Sequence, residues 1–151
     1  MFSRLLLTVP FLLQAAPPAG NAPAADLPPI KMGLWEATVT TAMGTSLKTR
    51  TCMTAASYRE QIAHLPQGCA LSNVVRTSTS MSGDVKCNLS NGASSSGHID
   101  AHFPDPSTVH STISVTTTVQ GHSMPITITT DSHFVGADCE DLEPGQSKIV
   151  Q

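Results

Sequence analysis

Four cysteines constrain this chain more than any other feature: Cys52, Cys69, Cys87 and Cys139. Whether they can pair depends on the compartment, and the amino terminus bears on that. Met1 to Leu13 carries one basic residue, Arg4, and then an apolar run, Leu5 to Leu13, interrupted by Thr8 and Pro10. Small residues follow at Ala15, Ala16, Ala19, Gly20, Ala22 and Ala24. Basic, apolar and small residues in that order make a secretory signal. The run is much shorter than the ~20 residues that span a bilayer. No cysteine stands at its end to take a lipid, so both anchor readings are set aside. Residues 1–24 are read as signal and cleavage region, with cleavage after Ala16 or after Ala24. Residues 25–30 are a flexible spacer, 31–139 a single domain, and 140–151 an acidic tail expected to be loosely held. The expected address is periplasmic or secreted, an oxidising setting in which thiols pair.

About 120 of the 151 residues remain after signal and spacer, enough for one domain. The chain has one Trp, one Tyr and four Phe, and Phe2 and Phe11 lie in the signal. The core must therefore come from Val, Ile, Leu, Met and Ala, and covalent staples would help it. Net charge is -3, one unit more negative once Arg4 is removed, with no basic cluster. That composition excludes nucleic acid and anionic lipid surfaces as partners.

Apolar–polar alternation predicts most of the fold. In Gly33 to Thr41, Trp35, Ala37 and Val39 share one face of a strand. Gly44 lies in a turn, and Ser46 to Met53 returns as a second strand. Thr54 caps a short helix whose stripe is Tyr58, Ile62 and Leu65, ended by Pro66. Leu71 to Arg76 and Met81 to Asn88 form another antiparallel pair, and a turn near Ser78 puts Cys69 opposite Cys87. Opposed strand residues have Cβ atoms roughly 5 Å apart, near what a disulfide needs. Of the three possible connectivities, the one adopted is therefore Cys69–Cys87 with Cys52–Cys139.

Gly97 to Phe103, Val109 to Val119 and Pro125 to Phe134 make a meander joined by Pro104 to Ser107 and by a turn at Gly121. The Ser-rich stretch before it, Ser90 to Gly97, has low-complexity character. Thr residues alternate with Ile and Val from Val109 onward, which suits sheet. The expected class is α+β, mainly β: a curved antiparallel sheet, meander or half-barrel, with one short helix and two disulfides.

The order of these marks resembles domain-of-unknown-function family 3617, small exported bacterial proteins. The marks are Gly33 to Glu36, Cys52, Pro66 to Cys69, Val85 to Cys87, and Gly136 to Cys139. The resemblance runs from about Lys31 to Cys139. It implies a secreted or periplasmic disulfide-bonded β-rich domain and supplies no catalytic residues.

Two faces of the sheet offer chemistry. The apolar face, with Trp35, Met53, Ile99, Phe103, Ile113, Val115, Ile126 and Ile128, could line a pocket for a small apolar ligand. The polar face carries Asp100, His102, His110, Asp131 and His133. Pairing Phe103 with Val109, and Val119 with Ile126, puts His102 opposite His110, and Thr112 between Asp100 and His133. Imidazole and carboxylate on neighbouring strands suit zinc or copper(II). Residues i and i+4 lie ~13 Å apart along a strand, so His98 and His102 cannot share an ion. The candidate metal groups are His102 with His110 and Asp100, or His133 with Asp131.

Enzyme readings find no support. Gly92 to Gly97 is not a nucleophile elbow. There is no C-x-x-C pair, phosphate loop or dinucleotide motif, and no cofactor is expected. A further class is an envelope interaction module, in which the Thr/Ser-rich strands after Val109 add an edge to a partner sheet. The reading taken is a non-enzymatic exported envelope protein that binds a small apolar ligand or a protein. Weak zinc or copper binding is the alternative.

Overall fold

The computed structural model describes residues 27–63, 65–89 and 92–150. The signal region therefore lies outside the described residues. Strands β1 (Gly33–Thr41) and β2 (Ser46–Met53) form the expected hairpin, and the helix α1 (Ala55–Ala63) follows. Strands β3 (Cys69–Arg76), β4 (Ser80–Asn88), β5 (Ser94–Asp105), β6 (Thr108–Val119), β7 (His122–Gly136) and β8 (Ser147–Val150) complete the chain. They build one open antiparallel sheet in the order β3-β4-β5-β6-β7-β1-β2-β8. The domain is mainly β with one short helix among the described residues.

Both disulfides form as expected. Cys69 and Cys87 are register partners at the β3–β4 edge, and Cys52 is joined to Cys139. No described cysteine is free.

Three expectations need correction. The turn between β6 and β7 is tighter than the sequence suggested, because Gln120 (φ 50°) and Gly121 (φ 81°) make a two-residue connection that pairs Val119 with His122. Positive φ at both central positions gives the hairpin turn whose twist matches its strands. The slip from the expected pairing is four residues. An even slip keeps every side chain on its face and changes only its partners. Second, β6 and β7 lie inside the sheet, so they offer no edge to another protein; the edges are β3 and β8. Third, the acidic tail is held. Ser147–Val150 pairs with β2, Leu142 is buried, and the Cys52 amide donates to the Gln146 carbonyl.

The tail packs a small core on the outer face, where Leu34, Cys52 and Leu142 meet Cys139. On the inner face the best-buried rings are Trp35 and Phe103. Part of the expected spacer also joins the fold, because Pro28 is fully buried and the Lys31 amide donates to the Pro106 carbonyl. Gly97 sits where β5 closes on β6. A Cβ there would strike the Ser114 carbonyl oxygen and come within 2.6 Å of the Val115 Cα.

Candidate functional site: a hollow beneath the curved sheet

Curvature brings the inward faces of β1 to β7 around a cavity of about 510 Å³. This size falls in the ~300–1,000 Å³ range of small-molecule sites. Chain order explains how it closes. The sheet's two ends are not hydrogen-bonded to each other, and α1 connects the end of β2 to the start of β3. Thr51 and Met53 of β2, Tyr58 and Ile62 of α1, and Leu71 of β3 all line the same space. The helix thus acts as a wall where the sheet has none.

α1 starts with the expected cap: the Ser57 amide donates to Thr54 Oγ1 at 3.1 Å, and the Thr54 amide donates to Ser57 Oγ at 2.9 Å. None of its described residues is buried. Its tie to the amino-terminal strap is Tyr58, whose hydroxyl donates to the Pro28 carbonyl at 2.8 Å. Burial pushes the Tyr58 phenol up to about 12. Trp35 is placed the same way, its Nε1–H donating to the Lys31 carbonyl at 2.8 Å, with the ring edge-on to Phe134. With the polar atoms of both rings satisfied by the strap, their apolar parts are free to face the hollow.

Of the residues expected to face a ligand, Trp35, Phe103 and Ile113 line the cavity, as do Met53 and Ile99. Val115, Ile126 and Ile128 do not reach its lining. They share the same face further along β6 and β7, where Val115 pairs with Ile126 and Ile113 with Ile128. Several lining residues were missed: Ala37, Val39, Thr49, Ala101, Ser111, Thr130 and Ser132, along with Ile30 of the strap. For the strand residues the same period-two count that selected Trp35 and Ile113 would have found them. Ala37, Val39 and Ala101 lie on the face that period assigned but were not carried into the site, and the hydroxyl residues were hidden by their polar side chains.

The outer face resolves into pairs. His110 Nδ1 lies 2.6 Å from Asp131 Oδ1, so the corrected β6–β7 register joins residues from the two expected metal groups. His102 is opposite His110 and Asp100 opposite Thr112, as expected; Thr112 faces Thr129 rather than His133. His133 pairs instead with Thr108 and Glu36. His98 Nδ1 is 2.7 Å from Asp84 Oδ1, and its Nε2 is 3.5 Å from Asp100. The Asp84 bond raises the His98 imidazole above its ordinary range. Asp84 is held low first by Asn73 and then by His98. Glu36 is lowered chiefly by its bond to Arg50. Among the described residues no three His, Cys, Asp or Glu side chains converge as metal ligands. The expected group of His102, His110 and Asp100 is therefore not assembled.

No helix among the described residues is long and apolar enough to cross a membrane. No curated protein matches the chain. Among solved structures, a redesigned β-barrel aligns at 13% identity over 75% of this chain and 95% of that one, with a TM-score of 0.21, too slight a likeness to argue from. The family profile described as "Protein of unknown function (DUF3617)" matches residues 30–139, and the chain belongs to that family.

Proposed function

We propose that this protein is an exported, non-enzymatic binder that holds a small apolar molecule in the space between sheet and helix. The observation that carries the reading is the hollow itself. An aromatic-poor domain that merely packed its inner face would bring Ile99, Ile113 and Met53 against Ile62 and Leu65. Instead these residues surround about 510 Å³ of open volume. Export is supported by the signal-like residues 1–24 and by two disulfides, which persist in oxidising compartments.

Trp35 makes the test direct, because it is the only Trp and lines the cavity. Neutral N-phenyl-1-naphthylamine, added to the folded oxidised protein, should quench Trp35 by energy transfer and saturate. Ala101→Phe with Ile113→Phe, which crowds the hollow without adding a second Trp, should weaken the effect while the fold survives. Native mass spectrometry of the protein from an envelope extract should show a copurified lipid-like mass. Absence of saturable quenching would remove the reading.

A further inference from the structure

The cavity wall is chemically two-sided. From β3, β4, β5, α1 and the segment just after it the wall receives Leu71, Met81, Ile99, Phe103, Ile62 and Leu65, with Ser82 and Gln61 the polar residues among them. From β7 it receives only hydroxyls, Thr130 and Ser132. Ser111 of β6 is the register partner of Thr130, and Thr49 of β2 stands opposite Ala37, which in turn pairs with Ser132. Four hydroxyls therefore cluster on one side. None of the four makes a side-chain hydrogen bond among the described residues. By contrast, hydroxyls elsewhere on these strands pair up, as Ser95 does with Thr117 further along the inner face and Thr118 with Ser123 on the outer one. No lining residue carries a charge.

Hydroxyls in an apolar container keep their hydrogen-bonding need, and a ligand that meets it is selected over one that does not. A carboxylate or phosphate would lose its hydration with no lysine or arginine on the wall to replace it. Resting on the binding function proposed above, we infer that the ligand is an uncharged amphipathic molecule, largely hydrocarbon, with a hydroxyl or carbonyl group along one side. Its apolar bulk lies against Ile99, Phe103 and α1, and its polar group meets Ser111, Thr130 and Ser132.

Competition against N-phenyl-1-naphthylamine on the oxidised protein tests this with octanol, octane and octanoate at neutral pH. Octanol should displace the probe at least tenfold more effectively than octanoate, and about fivefold more effectively than octane, the worth of one net hydrogen bond. Thr130→Val, which keeps shape and removes the hydroxyl, should erase most of the advantage over octane and leave octane itself unchanged. Thr116→Val, at a position outside the lining, should change nothing. Equal displacement by all three compounds overturns the assignment of ligand class and leaves the binding function standing. Failure of the naphthylamine to bind overturns both.

Discussion

Removing the two disulfides one at a time should destabilise the domain by unequal amounts, with the long bridge costing more. The bridges close loops of 87 and 18 residues. The chain-entropy argument assigns them about 4.6 and about 3.2 kcal/mol respectively. Packing widens the gap. Cys52 is buried with Leu34 and Leu142, so its sulfur leaves a void worth about 1 kcal/mol in the outer core. Cys69 and Cys87 are only half-buried and join two strands already held by their ladder at a sheet edge. Local fraying of β3 can absorb part of that loss. The difference between Cys52→Ala/Cys139→Ala and Cys69→Ala/Cys87→Ala should reach about 2 kcal/mol. With a urea slope of roughly 1–3 kcal/mol per molar, the midpoints should separate by about 1 M. Urea titrations of the two double variants, followed by Trp35 fluorescence and far-ultraviolet circular dichroism, measure this. Amide exchange should show early opening confined to β3 in the Cys69/Cys87 variant. Coincident midpoints, or a larger loss from the short bridge, would refute the assignment of the outer core to the long bridge.

Gly97→Val should lower stability by about 3 kcal/mol or more, since its Cβ meets β6 backbone that cannot rotate away, and a thermal melt should fall by roughly 10 °C. Tyr58 is the only Tyr, so an ultraviolet titration reads it alone; phenolate should appear near pH 12, and the stability that its raised pKa contributes is complete below the ordinary value of 10 and lost as pH rises through 12. Asp84→Asn should lower the His98 imidazole in an NMR titration, with Asp100 keeping the smaller part of its upward shift. In the parent protein the Asp84–His98 pair contributes most between about pH 4 and pH 6.5, because the lowered carboxylate loses its share as pH falls through its folded value and the raised imidazole loses its share as pH rises through its own.

Strand faces were legible where alternation is strict. Trp35, Ala37 and Val39, or Ile99, Ala101 and Phe103, declare their side by period alone. The β5–β6 pairing was legible too, because Pro104 to Ser107 leaves little choice of turn. The β6–β7 pairing was not. Gln at a positive-φ turn position gives weaker notice than Asn or Asp, so the Gln120–Gly121 connection hid, and with it the His110–Asp131 pair. Ser94 to Ser96 read as low-complexity and turned out to open β5, since small hydroxyl residues carry no apolar period. The tail misled for a related reason: its acids solvate, while one apolar residue, Leu142, docks it. Periodicity showed which side chains point inward. It could not show whether they meet, because that depends on how far the sheet bends.

A container whose girth is set by hydrogen bonds all the way round has one size. Here, among the described residues, no ladder joins the edge strands β3 and β8, and the gap is flanked by a helix with no buried residue. Such a seam can widen or narrow by tilting α1, without breaking a strand pairing. Under the binding function proposed above, guests of different bulk could be accommodated by one sequence, and loading and release would need no more than a swing of that short segment on its tether at Pro28.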